Sequence, residues 1–206
     1  MPSSVTVYSD FIPFCFIGKS RVDRLAKEHN LDVEWKAFEI HPETPAEGAP
    51  PEVPSERWKA ARDNLQRMAA DEGLTMNRPA VRANSHLALI AGAFAQDCGR
   101  PEPFHKNMLD AYWQQQRNIS LREVVLDVAR ESGLDAEQLA RAIDERRYEP
   151  ELAAVYDECH RYGISGVPTF IIGRHMVVGA QPYEVLEMAY NKAVEDEKGV
   201  ATPKAS

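Results

Sequence analysis

Two short segments about 150 residues apart carry the side chains best placed to do chemistry. The first is Asp10-Phe11-Ile12-Pro13-Phe14-Cys15-Phe16-Ile17-Gly18-Lys19 and the second is Gly166-Val167-Pro168-Thr169-Phe170. Pro13 suits the first turn of a helix, where its missing N–H would find no partner in any case. A helix opening there puts the Cys15 thiol near the positive end of the dipole, which favours thiolate, the form that attacks disulfides. Cysteine serves equally well as a small buried apolar side chain, and the sequence leaves both readings open. Pro168, taken alone, is a proline opening a strand, where no ladder donor is needed.

Around these segments stand residues that could tune or line a site. Asp10 ends the strand before the helix and is expected either to tune the thiol or to cap the helix. Lys19 lies one turn beyond Cys15; it reads as a surface lysine or as a charge favouring the thiolate. His41 and His86 could reach the same cleft, and the six histidines show no metal-binding spacing. Cys98 and Cys159 fall in helical stretches and read as free thiols in helix packing. Among the aromatics Phe14, Phe16, Phe104, Tyr112 and Trp113, Phe14 is expected at the site and the rest in the core.

The elements that must position these groups follow from periodicity. Val5 to Tyr8 is a short buried strand, Pro13 to about Asn30 a helix, and Asp32 to Ile40 an alternating strand. Such a strand–helix–strand unit is expected to be parallel and right-handed. A proline-rich loop spans Glu39 to Ser55. From Ser55 to Tyr162 the pattern is helical: a helix ending near Gly73, one capped by Asn84, and one opening at Pro103 or Phe104. The last three are one boxed by Ser120-x-x-Glu123, one capped by Asp135-x-x-Gln138, and one from Glu149 closed by Gly163. Thr169 to Ile172, a Gly173-Arg174 turn and His175 to Val178 form a hairpin, and Pro182 opens a final helix. Residues 1–42 and 149–198 are thus expected to form an α/β body. Residues 55–148 form an inserted all-helical subdomain, and 199–206 a polar tail.

Bulk properties narrow the classes of function. The chain has 206 residues, 44% hydrophobic and 27% charged, which suits one domain with an insertion. A net charge of -8 argues against nucleic acid and anionic membrane as partners. No apolar run approaches the ~20 residues of a membrane span, and Met1 to Asp10 lacks the pattern of a secretory signal. Three cysteines without close spacing exclude a dense disulfide framework and give no zinc pattern. A cytoplasmic setting with reduced thiols is expected.

The ordered set of motifs resembles the DsbA-like thioredoxin family, in its FrnE-type and 2-hydroxychromene-2-carboxylate isomerase branch. The set is Asp10 to Lys19, Phe38-Glu39-Ile40-His41-Pro42, Asn84-Ser85, Gly166 to Phe170, and Gly179-Ala180-Gln181-Pro182. The resemblance implies an α/β thioredoxin-like fold with a helical insertion. It also implies a cis Val167-Pro168 bond facing the redox helix, so that the backbone of Val167 pairs with an extended ligand. The branch's first motif reads Asp-x-x-Cys-Pro-x-Cys or Asp-x-x-Ser-Pro-x-Ser. Here Pro13 and Cys15 match, Ile12 precedes the proline, and the segment is one residue short. Either that residue is deleted, or a modified cysteine stood there and is missing from the sequence as written. By position Cys15 is the resolving thiol of such a pair.

The resemblance implies thiol–disulfide exchange with protein or small-molecule thiols and disulfides. The alternatives are a glutathione-dependent isomerase or transferase and a non-catalytic binding protein. Cys15 is then catalytic, and Pro13, Phe14, Val167, Pro168 and Gln181 bind substrate, Gln181 by offering a donor to a γ-glutamyl group or else by simply forming a turn. No metal and no tightly bound cofactor is expected; glutathione is the expected small ligand, and a homodimer is in keeping with relatives.

Overall fold

The computed structural model describes residues 2–51 and 55–200. The expected tail falls mostly on 201–206, outside the described residues, and the proline-rich loop is described except at 52–54. Strand β1 (Ser4–Ser9) leads through helix α1 (Pro13–His29) to β2 (Asp32–Ala37), which runs parallel to β1 with Trp35 opposite Val7. After the insertion come α7 (Glu149–Tyr162), β3 (Thr169–Ile172), β4 (His175–Val178) and α8 (Tyr183–Val200). β3 pairs antiparallel with β1, placing Phe170 against Val7, and β4 pairs antiparallel with β3. The sheet order is β2-β1-β3-β4, so β1 is central.

Alternation along β1 divides the body between two faces. Val5 and Val7 join Val22 and Leu25 of α1 and Leu186 of α8 in one buried cluster. Tyr8 points the other way, into a cluster with Val155 and Cys159 of α7 and with Cys15 and Val167. This is an α/β thioredoxin-like fold with an inserted helical subdomain.

The insertion comprises α2 (Glu56–Asp71), α3 (His86–Asp97), α4 (Pro101–Trp113), α5 (Arg122–Glu131) and α6 (Ala136–Asp144). Its core takes in Phe11 and Phe16 from the α1 region as well as Phe104, Met108, Val125 and Leu139. The insertion is therefore packed on the segment that carries Cys15. It also closes the β2 edge, because the Trp35 N–H donates to the Gln96 Oε1 of α3 at 3.2 Å. A covered edge cannot recruit another strand.

Local signals hold where the partner lies nearby in sequence. Asp135 Oδ1 accepts the N–H groups of Glu137 and Gln138, and Gly163 caps α7 at φ +68°. They fail where a distant group competes. The Ser120 hydroxyl accepts the Asn84 N–H from 36 residues away, so it boxes no helix and Leu121 precedes α5 instead. Asn84 accepts the His86 N–H, one residue outside the cap position held by Ser85. β2 stops at Ala37 rather than Ile40, because β1 ends there and the Ile40 N–H turns to the Asp10 carboxylate. α4 opens two residues early, at Pro101, which tolerates the first turn as well as Pro103 does.

α1 and the strand-opening proline approach closely at Gly18. A Cβ there would lie 2.7 Å from Pro168 Cγ and 3.1 Å from the Phe170 ring. Neither group is the free end of a flexible chain, so the added methyl forces the two elements apart. Gly18→Ala is expected to cost on the order of 1–3 kcal/mol. A lower urea midpoint at unchanged slope would show this, and a wild-type midpoint would contradict it.

Candidate functional site

The site is built where α1 begins and β3 begins. Ile12 precedes α1 in an extended conformation, and its carbonyl accepts the N–H groups of Cys15 at 3.0 Å and Phe16 at 3.2 Å. Pro13 occupies the first helical position. Val167-Pro168 is cis, as the resemblance implies. The Pro168 carbonyl accepts the Gly179 N–H at 2.7 Å, which anchors the Gly179–Gln181 turn beside it. Cys15 and Val167 lie in one buried cluster, with Ile12 and Ile40 packed on its margin. The first and second motifs thus meet as expected.

The exposure of the expected site residues is less uniform. Phe14 is 40% exposed at the tip of α1, and Gln181 is exposed with its side-chain amide donating to the Val178 carbonyl. Pro13 is partly exposed, whereas Val167 and Pro168 are buried. Cys15 is 1% exposed. Burial pushes its thiol up to about 12, and the Asp10 charge adds to the rise. The Asp10 N–H points at Sγ from 3.4 Å and the Ser9 hydroxyl bonds to it, but neither offsets the loss of water. The helix-dipole preference for thiolate is therefore overridden in this state.

Asp10 neither caps α1 nor faces solvent. Its carboxylate accepts from Phe11 N–H at 2.6 Å, from Ile40 N–H at 2.9 Å and from the Ser85 hydroxyl. Burial still raises this carboxyl from its ordinary value, against those three bonds. It ties the end of β1 to the loop after β2 and to the start of α3. His86 stands next to this junction, bonded to Glu39 at 2.9 Å and to Glu149 at 3.1 Å. The Glu39 bond leads in raising its imidazole to about 9, so it is a charged clamp between the loop after β2, α3 and α7. His41 pairs with Glu43 on the surface. Neither histidine is directed at Cys15.

Lys19 corrects both readings of it. Its side chain is 5% exposed, and its ammonium is held by Asp23 and by Glu102 at 3.2 Å. Arg21 went unread in the sequence, yet it is buried and contacts Glu72 of the α2 end at 2.6 Å. It also donates to the Ala180 and Gln181 carbonyls at 2.8 Å each, holding the turn that carries Gln181. An arginine at that spacing looks like any helix-surface residue, so no sequence signal marked it. Glu28, His29 and Glu187 bring ligand atoms within 4.8 Å of one another. They lie at the other end of α1, ~20 Å along the helix from Cys15, and Glu28 is already held by Arg24 and Tyr183.

This fold has counterparts among known proteins. The chain belongs to the family described as the DSBA-like thioredoxin domain, whose model matches residues 4–191. It is 31% identical to the uncharacterized protein YwbO of Bacillus subtilis over 207 residues, covering 96% of this chain and 98% of that protein. Its structure matches a probable DsbA oxidoreductase, SCO1869 from Streptomyces coelicolor, at TM-score 0.85 and 27% identity, covering 98% of this chain and 93% of the other. A 2-hydroxychromene-2-carboxylate isomerase shares the fold at TM-score 0.72 and 22% identity, covering 96% and 99%.

Thiol reactivity should follow burial. At equal pH, raising a thiol from 9 to about 12 leaves about a thousandfold less thiolate. Iodoacetamide at pH 8 is expected to label exposed Cys98 well before Cys15 and Cys159, with all three labelled in denaturant. Peptide masses would read this out. Labelling of Cys15 as fast as Cys98 in native protein would contradict the burial.

Proposed function

We propose that the protein is a thiol–disulfide exchange enzyme of the DsbA type that acts through Cys15. The observation that carries this reading is the seating of Cys15 and Val167 in one cluster, with Pro168 docked on the same helix at Gly18. An extended substrate pairs with the backbone beside Pro168 and brings its disulfide to the α1 tip. Cys15, uncovered as that segment moves, passes its proton to water and attacks one sulfur. The substrate S–S bond breaks, a Cys15–substrate disulfide forms, and the second substrate sulfur leaves as thiolate. With Ile12 before Pro13 the motif itself holds no second thiol to complete the exchange. An external thiol, such as glutathione, then attacks the substrate sulfur of the mixed disulfide, and Cys15 leaves and regains its proton. The exchange involves no net gain or loss of electrons.

The burial of Cys15 favours a second reading, in which the same groove binds thiol-containing chains without reacting. Insulin reduction with dithiothreitol separates the two. The first reading expects the wild-type protein to accelerate precipitation and Cys15→Ser to abolish the acceleration; equal rates favour the second. The mass of the peptide spanning residues 10–16 is expected to equal that of Asp-Phe-Ile-Pro-Phe-Cys-Phe. A mass higher by one cysteine, oxidised or otherwise modified, would restore a complete pair and an internal resolving step.

A further inference from the structure

Two of the three cysteines are buried in one place. Cys15 of α1 and Cys159 in the last turn of α7 share a small apolar cluster, whose other buried members are Tyr8, Phe38, Val155, Ile164 and Val167. Cys98 is exposed at the end of α3 and lies outside it. Both buried sulfurs stand against the end of β1. The Cys15 sulfur receives the Asp10 N–H at 3.4 Å and the Ser9 hydroxyl. The Cys159 thiol lies near enough to Tyr8 to oppose the ionisation of its phenol. The Cys159 carbonyl accepts the Ile164 N–H at 2.8 Å, which turns the chain out of α7 toward Val167 and Pro168. Cys159 thus stands at the root of the backbone with which a substrate would pair, and the exchange described above leaves it unused.

We propose that Cys159 is the second thiol of the exchange, attacking the Cys15 sulfur of the mixed disulfide to leave a Cys15–Cys159 bridge. The proposal rests on the exchange reading and supplies the partner that Ile12 does not. Cys159 passes its proton to water, and its thiolate bonds to the Cys15 sulfur. The bond between Cys15 and the substrate sulfur breaks, and the substrate leaves as a thiolate. The substrate disulfide is then fully reduced and the cysteine pair oxidised, so the electrons balance. Two external thiols of the glutathione class restore the pair and leave as their own disulfide. The internal attack runs ahead of the external one, which then acts on the bridge.

The surroundings suit a bridge better than a thiolate. Burial pushes the Cys159 thiol up to about 11, as it pushes Cys15 up, so both stay protonated while the site is closed. A disulfide carries no charge, and the cluster that disfavours either thiolate accepts it without that cost. Bridging needs Cα atoms within about 7 Å of each other. α1 starts without a side-chain cap, and its tip must already move for Cys15 to meet a substrate. The same movement lets that tip settle against α7.

The test exposes full-length wild-type, Cys98→Ser and Cys159→Ala proteins to oxidised glutathione. Each reaction is quenched with acid, the remaining thiols are alkylated in denaturant, and the peptides are mapped without reduction. Wild type and Cys98→Ser are expected to yield the Cys15 and Cys159 peptides joined to each other. Cys159→Ala is expected to retain roughly tenfold more glutathione on Cys15, because nothing internal displaces it. Thermal melting checks that this variant folds, and the joined peptide from wild type is read without it. Glutathione held on Cys15 equally in all three proteins, with no joined peptide, would overturn the proposal and leave the exchange reading standing. A bridge from Cys15 to Cys98 would overturn it as well. No glutathione on Cys15 in any of the three, with equal insulin rates for wild type and Cys15→Ser, would sink the exchange reading and this proposal with it.

Discussion

Much of this molecule depends on one close approach: the ring of Pro168 against α1 at the point where Gly18 has no side chain. That contact brings the opening of β3 against α1, and with it Val167 into the cluster that holds Cys15. The Gly179 N–H then fixes the Pro168 carbonyl from behind, and Arg21 fixes the Ala180 and Gln181 carbonyls. Loosening any of these would move the backbone a substrate would pair with, well before it disturbed the sheet.

The same packing that assembles the site also silences its sulfur. Cys15 is enclosed by apolar neighbours, and the nearby buried Asp10 carboxyl opposes a second negative charge. A thiol in that setting stays protonated at neutral pH, and the proposed exchange requires the α1 tip to open. Phe14, half out in solvent at that tip, and the insertion helices packed on Phe11 and Phe16 form the boundary that such opening must cross. The Glu39–His86–Glu149 clamp holds the opposite margin, where the loop after β2 meets α3 and α7.

The sequence made legible what is decided within a few residues. The strand–helix–strand start, the Asp135 cap, the Gly163 stop and the final hairpin all rest on local patterning and proved correct. The motif order also pointed to the fold and the cis proline, through the family resemblance it carries. What the sequence hid were effects of distant partners. Ser120 looked like a cap, but Asn84 claims its hydroxyl. Lys19 looked exposed, but Asp23 and Glu102 draw it inside. Tyr112 and Trp113 belong to or pack against the core, as expected, and they also line a groove beside Pro13. The burial of Cys15 was likewise invisible, since helix position alone favours a thiolate and only the tertiary surroundings reverse it.

The meeting of α1 with β3 can be observed directly by proton NMR on the uniformly labelled protein. The structure predicts a strong nuclear Overhauser effect between the Gly18 Hα protons and the Pro168 ring protons. A spectrum with both residues assigned and no such cross-peak would contradict the close approach and remove the shared site built on it.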